Sequence, residues 1–167
     1  GKTLAAAVEA VVSEDMRLLT PKLGTAYSKV DLGFSEPPPT KDMLVKAINE
    51  SGNNGYAKNL LYRLENGETL PTSYPYPVQF WRIGEQSLAV LASEVVIDYA
   101  IRLKQIFGRN LFVMAYANEG MGYIPSTRIL DEGGYEGENA PCFSEKWASD
   151  VEMKVILEVM KVAEEAN

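Results

Sequence analysis

Val78-Gln79-Phe80-Trp81-Arg82-Ile83-Gly84-Glu85-Gln86-Ser87-Leu88-Ala89-Val90-Leu91-Ala92-Ser93-Glu94 is the stretch that decides the fold class. Its first six residues alternate, with Val78, Phe80 and Arg82 sharing one face, as in a strand with one buried side. Gly84-Glu85-Gln86 suits a short hairpin loop. Ser87 to Ala92 is almost wholly apolar, the pattern of a central strand covered on both faces. Ser93 then predicts the N-cap of a helix from Glu94 to about Phe107, closed by Gly108. A further apolar run, Leu111-Phe112-Val113-Met114-Ala115, reads as the next buried strand.

The flanks extend the same alternation of types. Leu4, Val8, Val11 and Val12 have helical spacing in a segment from Leu4 to about Asp15. Leu23 to Phe34 carries Ala26, Val30, Leu32 and Phe34 at period two, a strand that Pro37-Pro38-Pro39 must break. Thr40 caps a helix with Met43, Leu44, Ala47 and Ile48 as its stripe, and Ser51 to Gly55 is a turn cluster. A helix from about Tyr56 to Glu65 stops at Asn66-Gly67, and Thr69 to Pro77 reads as an irregular Pro/Tyr-rich connector. A long helix from about Ser144 to Glu165 points Trp147, Val151, Ile156, Val159 and Val162 inward. The expectation is a mixed α/β chain: a small mixed sheet covered by helices in a layered sandwich, with four to five of each element. Residues 1–167 form a single domain of ordinary size.

Composition narrows the function classes. A net charge of −7 argues against a nucleic-acid partner, which wants a basic stripe. No apolar run approaches the roughly 20 residues of a membrane span. Cys142 is the only cysteine, so neither an internal disulfide nor a thiolate cluster can form, and a structural thiol is its expected role. The chain has no histidine, so it supplies no imidazole base or metal ligand. The start at Gly1-Lys2-Thr3-Leu4, directly before a helical pattern, reads as a fragment boundary.

Polar chemistry concentrates after the strand at Leu111. Ala115-Tyr116-Ala117-Asn118-Glu119-Gly120-Met121-Gly122-Tyr123-Ile124-Pro125-Ser126 is a glycine-rich loop with two Tyr, an Asn and a Glu. In open α/β sheets, sites gather beyond the carboxyl ends of strands, and both Glu94 and this loop follow such ends. Each residue also has a plain structural role open to it. Glu94 fits a first helical turn, Tyr123 fits loop packing, and Asn118 fits support of a turn. Tyr135 and Glu136, in Gly-Gly-Tyr-Glu-Gly, suit either a lid or a packed loop. An amphiphile-binding groove lined by Tyr74, Tyr76 and Trp81 is a further reading.

The ordered set of Pro77-Val78-Gln79-Phe80-Trp81-Arg82-Ile83-Gly84, Leu91-Ala92-Ser93-Glu94, Ala115-Tyr116-Ala117-Asn118, Gly122-Tyr123-Ile124-Pro125-Ser126 and Glu132-Gly133-Gly134-Tyr135-Glu136 resembles the C-terminal half of the catalytic domain of the neutral/alkaline ceramidase family. The match extends from about Leu4 to the final helix. Leu-Ala-Ser-Glu stands where that family commonly has Pro-Gly-Glu. The resemblance implies a zinc-dependent amidase that cleaves the N-acyl bond of ceramide or a related amide. It implies Glu94 and Tyr123 as two of four zinc ligands, with Asn118, Gly122 and Tyr135 in supporting loops. The other two ligands, both His, and a Ser that helps catalysis belong to the preceding half of that domain, and nothing in this chain matches them.

The expectation is therefore a fragment of a hydrolase that alone binds no zinc tightly and hydrolyses nothing. Its complete parent would act on a small amide or lipid, with no nucleic-acid partner and no transmembrane segment. Secretion or a periplasmic location is common in the family. The face left by the missing half would favour self-association. The alternative is a non-catalytic binding or structural module sharing the fold.

Overall fold

The computed structural model describes residues 1–51, 54–120, 122–138 and 146–167. Cys142, Gly52-Asn53 of the turn cluster and the predicted helix start at Ser144 lie outside the described residues. The fold is mixed α/β as expected, with seven helices and six strands among the described residues rather than four or five of each. Its centre is a mixed sheet in the order β1-β2-β3-β5, where β1 is Leu23–Gly33, β2 is Ser73–Ile83, β3 is Gln86–Leu91 and β5 is Phe112–Met114. The first two pairings are antiparallel, and β3 pairs with β5 in parallel through Leu88↔Phe112, Ala89↔Val113 and Val90↔Met114.

The β2–β3 hairpin turns at Gly84-Glu85, because Ile83 pairs with Gln86. Gly84 has φ 57, and a Cβ there would lie 2.6 Å from the Thr20 carbonyl oxygen, so both conformation and space call for glycine. β2 begins five residues earlier than Val78, because the Pro/Tyr-rich segment is strand and not an irregular connector. Pro77 pairs with Lys29 and Pro75 with Asp31, while β3 ends at Leu91 opposite Val78. The β3 side of β2 is therefore unpaired at both prolines, and a missing N–H there costs no ladder bond. Alternation then sends Tyr74 and Tyr76 into the core and Trp81 to the opposite face, so the three cannot line one groove.

Two helices cover one face of the sheet. α4 (Ile97–Phe107) contributes Tyr99 and Leu103, and α7 (Val151–Glu165) contributes Val151, Val155, Val159 and Val162. They close over Leu32, Tyr76, Val78, Phe80, Ala89 and Leu91, all fully buried. Each such large apolar side chain contributes about 1.5–3 kcal/mol by leaving water. α7 begins at Val151, and Trp147 precedes it, bridging Phe34 in an antiparallel pair and stacking on its ring at 5.3 Å. A small separate cluster of Leu44, Ala57, Leu60 and Leu70 holds α2 (Lys41–Ser51) against α3 (Gly55–Glu65).

Among the described residues, no helix covers the opposite face of the sheet. Trp81, Ile83, Phe112, Met114, Leu23 and Tyr27 all remain exposed there. The reading of Ser87–Ala92 as covered on both sides therefore holds only toward its end, since Val90 is buried but Leu88 is half-exposed. α1 (Lys2–Val12) buries none of its residues. No helix among the described residues is long and apolar enough to cross a membrane.

Candidate functional site

The chain beyond β3 departs from the expected helix cap. Ser93 adopts φ 58 and is not the N-cap of α4, which is Val96, and Glu94–Val95 form a short strand, β4. α4 starts only at Ile97, so Glu94 is not in a helical first turn and the macrodipole does not account for it. β4 instead pairs in parallel with β6 (Tyr123–Ile124), with Glu94 directly opposite Tyr123. The two residues that the resemblance implies as ligands, 29 positions apart in sequence (123 − 94), are register partners in one ladder.

The loop between β5 and β6 is knitted onto the end of β3 by main-chain bonds. Ala117 N–H donates to the Leu91 carbonyl at 3.1 Å, and Tyr116 N–H to that of Ser93 at 2.9 Å. In return, Ser93 N–H donates to Glu119 at 2.7 Å and Glu94 N–H to Gly122 at 3.0 Å. Gly122 has φ 113, which only glycine adopts without strain. The non-glycine residues with positive φ among the described residues are Ser93, Tyr116 and Asn118, all in this knot. Each such conformation costs on the order of 1–3 kcal/mol, and such strain gathers at functional sites.

The side chains converge as well. The Tyr116 and Tyr123 phenols both lie close enough to the Glu94 carboxylate to feel it. The carboxylate, with burial, pushes the Tyr116 phenol up to about 12. Tyr123 is also raised, first by desolvation and then by the same carboxylate. The Tyr135 ring meets that of Tyr123 edge-on at 5.5 Å, so the Gly-Gly-Tyr-Glu-Gly segment is the start of a short helix, α6 (Tyr135–Glu138), packed on the site. Asn118 accepts from Gln79 Nε2 at 2.9 Å, and Gln79 Oε1 accepts from Trp81 Nε1 at 3.0 Å.

Three buried aromatic donors brace this cluster from below. Tyr76 donates to the Ala92 carbonyl at 2.7 Å, Tyr99 to that of Pro125 at 2.9 Å and Trp147 to that of Tyr123 at 2.9 Å. Burial holds the Tyr76 and Tyr99 phenols well above the ordinary range, so they stay protonated as donors. Ser126 caps α5 (Thr127–Glu132) by accepting from Ile129 N–H at 3.3 Å, and its hydroxyl donates to Asp98. That bond, and Arg128 at 3.1 Å, hold the Asp98 carboxyl below the usual range. Glu152, nearly buried, accepts from Thr127 N–H at 2.8 Å and lies 2.6 Å from Arg102 Nε, an ion pair without hydrogen-bond geometry. These contacts fix where α5 leaves the site.

The sequence set Glu94 and the loop carrying Asn118, Gly122 and Tyr123 beyond neighbouring strand ends and left Tyr135 as lid or packed loop; the structure has all five at one end of the sheet. Sequence reasoning did not single out Tyr116 as a partner of Glu94, although its place two residues after β5 was a usable signal. Trp147 had no such signal, because its contact with Tyr123 spans two elements far apart in the chain.

Chemically, the cluster offers one carboxylate and two phenol oxygens. Among the described residues no group of three His, Cys, Asp or Glu could hold a metal ion. A carboxylate and a phenol fit two positions of a zinc centre, which needs about four donors, usually including His or Cys. The fold and site thus define a mixed α/β chain that presents a carboxylate–phenol cluster beyond the carboxyl ends of two parallel neighbours, β3 and β5. No family model, curated protein or solved structure matches it.

Proposed function

We propose that this chain is part of a zinc-dependent amidohydrolase resembling neutral ceramidase, in which Glu94 and Tyr123 supply two of the metal's ligands. One observation carries the reading: Glu94 lies directly opposite Tyr123 in the β4–β6 ladder. Ser93 supports it further. Its φ of 58 is a conformation natural to glycine, and glycine precedes the Glu in the Pro-Gly-Glu wording of the ceramidase family.

When bound, zinc would polarise an amide carbonyl and activate a water for attack on it. What the chain itself does is hold two oxygen donors side by side on braced backbone, with Tyr116 beside the carboxylate. Alone it lacks the remaining donors, so the isolated chain binds no zinc tightly and hydrolyses no amide. The substrate class is an N-acyl amide, ceramide or a relative of it. The absence of histidine from the chain favours a second reading, a binding or structural module that keeps the fold without the chemistry.

The deciding experiment determines the sequence encoded upstream and the zinc content of the complete protein. Two His motifs and stoichiometric zinc, lost in Glu94→Gln, are the expected result. A complete protein without zinc, or one whose zinc is indifferent to Glu94→Gln, sinks the amidase reading and leaves the module. Micromolar zinc binding by this chain alone would contradict the half-site.

A further inference from the structure

Two apolar surfaces of this chain face solvent, and their shapes are complementary. The first is the stripe Leu4, Val8, Val11 and Val12 along α1, whose four side chains are all more than half exposed. An amphipathic helix that buries nothing has little reason to persist alone, since most helical stability comes from packing its apolar face. The second is the open face of the sheet, where register sets Trp81 beside Leu88 and Leu88 beside Phe112.

Their dimensions agree. α1 has 11 residues, which at 1.5 Å per residue is a rod of about 16 Å. The four strands at their usual spacing of about 4.8 Å make a face of about 14 Å between outer axes. Roughly half of each ring of Tyr27 and Phe112 is free, and somewhat less of Trp81. With Leu23, Ile83 and Met114 the face offers on the order of 500 Å² of apolar area, if a ring can bury about 150–250 Å².

α1 does not use its own sheet. Residues 20–22 are pinned at the hairpin end, where Thr20 donates to Glu85 and Gly84 N–H donates to the Lys22 carbonyl at 2.8 Å. The connector from Ser13 to Leu19 is exposed. We propose that the open sheet face is the seat for α1 of a second copy of this chain, exchanged reciprocally. Each contact would cover on the order of 900 Å² counting both sides, and the pair about 1,800 Å², within the size of a specific stable interface. One contact alone would fall short. The exchange needs no new fold, only a swing of an exposed connector. The inference is independent of the zinc reading.

Sedimentation of the purified chain, alone and as variants, tests it. The chain is expected to be dimeric at micromolar concentration, and more tightly so in salt, because each copy carries a net charge of −7 that opposes association. Val8→Asp with Val11→Asp in α1, where no side chain supports the fold, should weaken the dimer by about a hundredfold or more. Phe112→Asp on the sheet face should do the same. Mixing the two defective chains should give association weaker than the wild-type pair but tighter than either variant alone, because one of the two α1–face contacts is intact.

Three results overturn the proposal. A wild-type chain that stays monomeric at high concentration excludes exchange and leaves intramolecular closure. A dimer indifferent to the α1 variants points to direct packing of two sheet faces. A mixture that associates no more tightly than either variant alone, with both variants folded by circular dichroism, removes the pairing of α1 with the sheet face.

Discussion

Phe80 and Trp81 are neighbours in β2, yet one is fully buried and the other is 40 % exposed. The same comparison extends across the sheet. Toward α4 and α7 the rows Val78–Leu91 and Phe80–Ala89 are sealed, while on the other side Trp81, Phe112 and Met114 meet water. The open face mixes these apolar side chains with Thr25, Gln79 and Lys29, but several of its members are as apolar as those that are sealed. What separates them is supply: the two long helices that carry matching stripes both lie on one side. The covered face builds the platform, and its buried Tyr76 reaches past the end of β3 to brace the site.

Paired substitutions break this contrast most sharply. Phe80→Ala is expected to cost about 3–5 kcal/mol in denaturant unfolding, because it removes a packed ring and leaves a cavity. Trp81→Ala should cost about 1 kcal/mol or less at dilute concentration, as an exposed side chain that donates to Gln79. Equal losses from the two would show that the open face is covered.

A smaller effect probes how the covered face supports the site. Tyr76→Phe keeps the ring and deletes the donor to Ala92, leaving a buried carbonyl unpaired. It should cost about 1–3 kcal/mol. Amide exchange at Ser93 and Glu94 should rise with it, since their N–H groups bond to the loop that the brace holds. Unchanged exchange would mean that the brace stabilises the core alone.

The smallest effect is a titration. The Glu94 carboxylate raises the folded-state Tyr116 phenol above its unfolded value, so its contribution is complete below about pH 10, the ordinary phenol range. It is lost as pH climbs toward about 12. Phenolate absorbance followed against pH should show Tyr116 and Tyr123 ionising late, and Glu94→Leu should bring both earlier. A profile unaffected by Glu94→Leu would mean that the two hydroxyls do not share that carboxylate in solution.

Much of this was legible in the chain. Period-two alternation marked β1 and the first half of the hairpin, helical spacing marked α2, α3 and α4, and Gly108 ended α4 where expected. Glu94 and the 115–126 loop were legible as a site because both follow strand ends. Other features misled for identifiable reasons. Ser93 before an apolar helix resembles an N-cap, but main-chain bonds to Ser93 and Glu94 from a loop more than 20 residues away draw them into a ladder instead. Pro75 and Pro77 argue against a strand unless one knows that β3 stops at Leu91.

By itself, then, the sequence determined the local elements, the mixed α/β class and the residue types available for chemistry, including the lack of any histidine. Those follow from side-chain periodicity and backbone preference, which act over a few residues. Only the tertiary structure decided which sheet face is sealed, that Tyr74 and Tyr76 point away from Trp81, and that Glu94 lies against both Tyr116 and Tyr123. Each of these depends on pairing and packing between segments far apart in the chain. There the bond that wins is chosen by what the whole fold can bury and satisfy.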